Sequence, residues 1–183
     1  MRPAATAAAC VLAAATFAPT APFPPFAPTA ASTPTAVSTE DRTYLTDSAS
    51  GALWEVAGGR IAQTNSTRAD VRAFGQRMVT DHSRQYADAR RVAAQVGERA
   101  PTSPDPTQQH DLGLFRQARG TTFDCVYLST EWTDHLADIA STQLELSAGK
   151  DARVRAYAAR NLPVLRQHLA LVERDLQSLP SCR

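Results

Sequence analysis

From Val71 to Val96, apolar or bulky side chains return every three or four residues: Val71, Phe74, Met78, His82, Tyr86, Ala89, Val92 or Ala93, and Val96. That spacing lines one face of an α-helix and does not fit the strict alternation of a half-buried strand. Three more long segments carry the same period. The first opens at Ser38 or Thr39, with Glu40 and Asp41 in its first turn, and follows Leu45, Ala49, Ala52 or Leu53, Val56 and Ile61. The third runs from Thr121 or Thr122 to Ser147 through Leu128, Trp132, His135, Ile139, Thr142 and Leu146. The fourth starts at Asp151 and follows Val154, Ala158, Leu162, Leu165, His168 or Leu169, Val172 and Leu176. Pro163 lies inside it, where a kink or an opened turn is expected, and Pro180 stops it.

Asn65-Ser66-Thr67 separates the first two segments, with Thr67 the expected cap of the second, and Ala148-Gly149 separates the last two. Gly58-Gly59 either weakens the first helix, by about 1 kcal/mol per glycine relative to alanine, or lets a neighbouring helix come close. The stretch 98–120 is different. Pro101, Pro104 and Pro106 exclude helix at its start, and Gln108 to Arg119 has room for one short helix around Leu112, Leu114 and Phe115. Four amphipathic helices, each roughly 40 Å long, bury their faces best against one another. With no internal repeat to build a solenoid, the expected fold is all-α, an antiparallel four-helix bundle over 40–178 with a short tail at 179–183.

Histidines and one glutamate mark the core of that bundle. His82, His135 and His168 fall on or beside the apolar stripes of three helices, and Glu55 lies beside the stripe of the remaining one. Buried ionisable groups are costly unless paired or bound to a metal. With a rise of 1.5 Å per residue, Glu55 stands about 14 Å and His82 about 22 Å above the turn at 65–67. If the 98–120 stretch carries the chain back to that turn's level, His135 stands about 21 Å and His168 about 15 Å above it. All four then share one slab less than about 10 Å thick, whereas a simple turn sends His168 to about 27 Å. A long crossover between the second and third of these helices is therefore expected, the connectivity of ferritin-like bundles.

Imidazole and carboxylate suit zinc, copper, nickel or iron. Glu131, four residues before His135, and Asp138, three after it, are further ligand candidates. No Glu-x-x-His pair of the di-iron type is present, and Asp81-His82-Ser83 is no triad, since consecutive helical residues diverge. The alternative makes these ordinary core histidines, bonded to carboxylates, to Tyr86 or Tyr127, or to backbone opened by Pro163.

Residues 1–36 are other material. Met1-Arg2-Pro3 precedes an alanine-rich apolar run from Ala4 to Phe17, too short to span a bilayer, and a Pro/Ala/Thr tract follows. Charge, apolar run and small residues in that order mark a signal peptide over 1–31, ending at Thr29-Ala30-Ala31, with a linker at 32–39. The expected address is secreted or cell-envelope. Removal of Cys10 leaves Cys125 and Cys182, which antiparallel third and fourth helices bring together as a disulfide. From Thr39 onward, the 19 basic residues minus Arg2 leave 18 against 18 acidic ones. A body so balanced has no electrostatic reason to favour nucleic acid.

Four runs carry a family resemblance: Glu55-Val56-Ala57-Gly58-Gly59-Arg60-Ile61-Ala62; Val71 to Ser83 (VRAFGQRMVTDHS); Phe123-Asp124-Cys125-Val126-Tyr127-Leu128 with His135; and Leu162 to Leu169 (LPVLRQHL). In this order, over roughly 41–176, they are similar to the helix signatures of the bacterial "domain of unknown function 4142" family. The resemblance implies an exported protein with a ferritin-like helical bundle and implies no activity. Cys125 departs from the residue expected after Phe-Asp, which suggests a disulfide local to this branch.

Two readings follow. In one, an exported, non-enzymatic bundle binds one transition-metal ion through Glu55, His82, His135 and His168. In the other, it is a helical interaction module for a cell-envelope protein partner, with structural core histidines.

Overall fold

The computed structural model describes residues 37–179 and Cys182, which form five α-helices and, among the described residues, no strand. They are α1 (Thr39–Asn65), α2 (Ala69–Gln95), α3 (Pro106–Gln117), α4 (Gly120–Ala148) and α5 (Ala152–Gln177). The signal peptide expected over 1–31 and most of the expected linker lie outside the described residues.

Local chemistry sets the helix ends. Ser38 caps α1, its Oγ accepting from the Asp41 N–H at 3.1 Å while Asp41 accepts from the Ser38 N–H at 2.7 Å. The other Asp41 oxygen accepts from the backbone N–H groups of Lys150 and Asp151 at 2.9 and 3.1 Å. One carboxylate thus starts α1 and ties it to the α4–α5 turn. Thr67 does not cap α2: Arg68 occupies that position, and Ser66 Oγ accepts the Arg68 N–H at 3.0 Å. Asp105 caps α3, whose first residue is Pro106, a ring that suits the first turn. α5 runs continuously through Pro163.

Side-chain contacts fix the direction of each pair. α1 and α2 are antiparallel, with Gly59 against Gly75 near their joining turn and Ser48 accepting from Gln85 at 3.0 Å near the far end. α4 and α5 are antiparallel too, linked by Trp132 to Glu173 at 3.3 Å and by the Cys125–Cys182 disulfide, whose Cα atoms lie 4.9 Å apart. α2 meets α5 where Arg68 donates to Ser178 at 2.9 Å and where Tyr157 approaches the Gln85 carbonyl. α1 meets α4 through Tyr44 and Thr142, 3.3 Å apart. α3 lies along α1: Gln108 accepts from Ser50 at 2.7 Å, and Asn65 donates to the Phe115 and Ala118 carbonyls at 2.8 and 3.0 Å. It therefore returns the chain to the end where α2 began, and Phe74 and Tyr127 meet there with ring centroids 6.1 Å apart.

The apolar core is in two parts. One gathers Trp54, Phe74, Met78, Phe115, Phe123, Tyr127, Leu128 and Val172; the other gathers Tyr44, Leu45, Ala49, Ala89, Val92, Val154, Tyr157 and Ala158. On α1 the buried face passes through Ala52, Glu55, Gly59 and Ala62, and the expected Val56 and Ile61 are only half-buried. Small and acidic residues on this face hid it from an apolar-periodicity reading.

The glycines at the α1–α2 contact permit close approach. A Cβ on Gly75 would stand 2.7 Å from the Gly59 carbonyl oxygen and from the Ala62 Cβ. Gly75→Ala is expected to push the helices apart and cost about 1–3 kcal/mol, the range for overpacking, measured by urea denaturation. The disulfide closes a loop of 57 positions. Its reduction is expected to lower stability by up to about 4 kcal/mol in the same assay.

Candidate metal centre

Between the two apolar clusters lies a polar layer. His82 on α2 and Glu55 on α1 are 1% exposed, and His135 on α4 and His168 on α5 are fully buried. The ring centroids of His82, His135 and His168 form a triangle with sides of 5.2, 5.3 and 5.9 Å. Glu55 Oε1 lies 3.6 Å from His135 Nδ1 and 3.9 Å from His82 Nε2. The four residues singled out in the sequence, one from each long helix, therefore meet. Their neighbours are in part structural: His135 and His168 each have a hydrogen-bond partner, whereas Tyr86 bonds the Pro101 carbonyl and Tyr127 has no partner.

Those partners decide where the protons sit. His135 Nδ1 lies 2.9 Å from the backbone carbonyl of Glu131. A carbonyl oxygen only accepts, so Nδ1 carries the hydrogen and Nε2 keeps its lone pair. His168 Nε2 lies 3.0 Å from Asp81 Oδ2. Burial pulls the Asp81 carboxyl upward, but hydrogen bonds from Arg77 and His168 outweigh it and hold Asp81 below its ordinary value. Asp81 is thus an ionised acceptor, His168 Nε2 carries the hydrogen, and Nδ1 keeps the lone pair. His135 Nε2 and His168 Nδ1 face each other at 3.3 Å. Two neutral rings so anchored present two lone pairs to each other with no proton between them. Neither ring nitrogen of His82 has a hydrogen-bond partner.

The rings are held neutral. Burial, then the neighbouring His168, pushes His135 down to about 4; burial, then His135 and His168, pushes His82 well below its ordinary 6.5; burial lowers His168 against the opposing pull of Asp81. Neutral imidazole is the form that binds metal.

On the other side of His135 sits a carboxylate group. Glu131 Oε2 lies 3.7 Å from His135 Nδ1, and Glu131 is fully buried. Neither oxygen of Glu55 or of Glu131 has a hydrogen-bond partner, although the Tyr127 hydroxyl stands beside Glu131. Burial raises all of these carboxyls: Glu55 well above 4.5, Glu131 to about 7, Asp134 to about 7 and Asp138 well above 3.8, with mutual repulsion adding to it.

Sequence reasoning named Glu131 and Asp138 only as further candidates and missed Asp134 and Asp81. Glu131, Asp134 and Asp138 repeat at i, i+3 and i+7, the spacing of one helix face, which was the available signal. Consecutive helical residues diverge, which argued against a joint role for Asp81 and His82, yet both reach the His168 ring on α5, a convergence visible only once the α2–α5 pairing is known.

Over residues 26–174 the chain matches the family model described as "Domain of unknown function (DUF4142)", and it belongs to that family. No curated protein and no solved structure matches it significantly. No helix among the described residues is long and apolar enough to cross a membrane.

Two opposite pH trends follow for the metal-free protein. Histidines with lowered values contribute stability that is present above about 6.5 and lost as pH falls toward about 4, the value for His135. Carboxyls with raised values contribute stability that is present below their ordinary 3.8 to 4.5 and lost as pH rises through about 7, the value for Glu131 and Asp134. In chelator, the melting temperature of Glu131→Gln relative to the native chain is expected to rise between about pH 4.5 and 7 and to level off above it. A difference that stays constant across that range would assign the trend to other groups.

Proposed function

We propose that this chain is an exported, ferritin-like antiparallel four-helix bundle, with α3 as the crossover, that binds one transition-metal ion in its core. The ligands in this reading are His82, His135 Nε2 and His168 Nδ1, with Glu55 as the fourth. Three imidazole nitrogens and one carboxylate oxygen are a donor set that suits zinc, and equally copper, nickel or iron.

The observation that carries the reading is the facing pair of lone pairs, 3.3 Å apart on two fully buried rings. A cation between the rings turns that repulsion into two bonds. The Asp81–His168 hydrogen bond supports it further, since a carboxylate behind a ligating histidine fixes its tautomer and raises its basicity. Support for the bundle comes from the antiparallel pairing of α1 with α2 and of α4 with α5, and from the return of the chain along α3. Support for export is the order of charge, apolar run and small residues in 1–31, together with the Cys125–Cys182 disulfide, which suits an oxidising compartment. The interaction-module reading draws on Trp132 and Leu136, one turn apart on α4 and 39% and 40% exposed.

A metal that binds only the folded protein stabilises it by mass action, by about 2.7 kcal/mol at a hundredfold excess over Kd. Zinc, copper or nickel is expected to raise the melting temperature, and His168→Ala to abolish the rise. Asp81→Asn should keep the site and weaken it about 10–100-fold. If none of the three ions shifts the melting temperature of the untagged protein, the metal reading fails and the interaction module takes its place.

A further inference from the structure

His135 presents two edges to the core. Its Nε2 edge faces His168, and its Nδ1 edge faces Glu55 and Glu131, at 3.6 and 3.7 Å. Donor atoms of Glu55, Glu131 and His135 all lie within 4.8 Å of one another, as do those of the three histidines. The ring of His135 stands between two groups of donors, one of nitrogens and one of oxygens.

We propose that Glu55 and Glu131 form a second cation position beside the histidine site, with Asp134 next to Glu55, taking a hard divalent ion through carboxylate oxygens. The inference rests on the histidine reading for its neighbour and not for its own donors.

Several observations carry it. Glu55 is 1% and Glu131 0% exposed, and all four of their carboxylate oxygens are buried without a hydrogen-bond partner. A buried carboxylate costs several kcal/mol unless compensated. The side chains beside these two glutamates are Asp134 next to Glu55 and the Tyr127 hydroxyl next to Glu131, and neither supplies a positive charge. Asp134 Oδ2 is a further buried oxygen without a partner. No arginine or lysine compensates the group: among the described residues, the ion pairs of Glu55 and Glu131 are with His82 and His135 alone, and Asp134 has none.

The surroundings are acidic as well. Asp138 on α4, Asp47 on α1, and Asp105 and Asp111 on α3 are close enough to repel Asp134 or Asp138, and none of them has an arginine or lysine partner within ion-pair distance. Their exposure is graded: Asp47 and Asp105 are exposed, Asp111, Asp134 and Asp138 half-buried, Glu131 and Glu55 buried. In their ionised form the carboxylates of that series repel an anion and attract a cation.

The chemistry of the two positions differs. Oxygen-only donors prefer manganese, magnesium or calcium, whereas imidazoles prefer zinc, copper or nickel. Glu55, with two free oxygens, is able to touch both ions. Its Oε1 is the oxygen nearest the histidines.

Manganese is a suitable probe, because free and bound Mn²⁺ are told apart by electron paramagnetic resonance. The full chain, loaded with one equivalent of zinc, is titrated with Mn²⁺, and zinc content is measured in parallel. One further Mn²⁺ per chain is expected. Glu131→Gln and Asp134→Asn should each weaken that ion at least tenfold and leave the zinc equivalent in place. Asp134 is half-buried, so its isosteric replacement guards against a variant that fails to fold, and a thermal melt of each variant checks this. If zinc-loaded protein binds no Mn²⁺, or binds it equally in both variants, the second position does not exist. If zinc itself does not bind, the histidine reading fails. Mn²⁺ titration of the zinc-free chain then decides the carboxylate position alone, with binding lost in Glu131→Gln supporting it and no binding overturning it.

Discussion

A layer of ionisable groups inside an otherwise apolar core is the constraint on which the remainder of the molecule depends. Three histidines and two glutamates lie where apolar side chains would pack, and each is nearly or fully buried. Such groups lose hydration worth several kcal/mol, and the fold has to return that through pairing. It does so incompletely. Glu131 and Asp81 anchor one nitrogen each of His135 and His168, and the opposite nitrogens meet as lone pairs. Making that contact a hydrogen bond would require one ring to give up its bond to the Glu131 carbonyl or to Asp81.

Holding four helices at this layer is the work of contacts far from it. At one end the Asp41 carboxylate joins the start of α1 to the α4–α5 turn; at the other the Cys125–Cys182 bridge joins the start of α4 to the residues after α5. α3 fastens the same end through Asn65, whose side-chain amide bonds two carbonyls of the returning chain. Glycines at 59 and 75 let α1 and α2 approach closely near their turn. The proposed bundle is therefore fastened above and below a layer whose own groups supply little net attraction without a cation.

Helical segments were legible because their period is strong: the buried residues of α2 and α5 follow the expected stripes closely. α1 was less legible. Its buried face carries Ser48, Glu55 and Gly59, so an apolar criterion drew the stripe toward Val56 and Ile61. The height of Glu55, His82, His135 and His168 along their helices followed from the rise per residue, because straight helices convert sequence separation into distance. Asp81 and Asp134 were not readable in that way. Their roles depend on which helix stands opposite and on how closely, and that is a property of packing rather than of period. In the second core cluster Leu45, Ala49, Ala89, Val92, Val154 and Ala158 lie on the expected stripes, whereas Tyr44 and Tyr157, which bonds Ser48, were invisible to spacing.

Tautomers of the histidine rings test the central claim most directly, and nitrogen NMR of ¹⁵N-labelled, metal-free protein near pH 7 reports them. The account requires His135 to carry its hydrogen on Nδ1 and His168 to carry its hydrogen on Nε2, leaving both facing nitrogens unprotonated. On addition of zinc, the signals of those two nitrogens should shift while the protonated ones stay protonated. A hydrogen found on His135 Nε2 or on His168 Nδ1 would make the contact an ordinary histidine–histidine hydrogen bond and contradict the account.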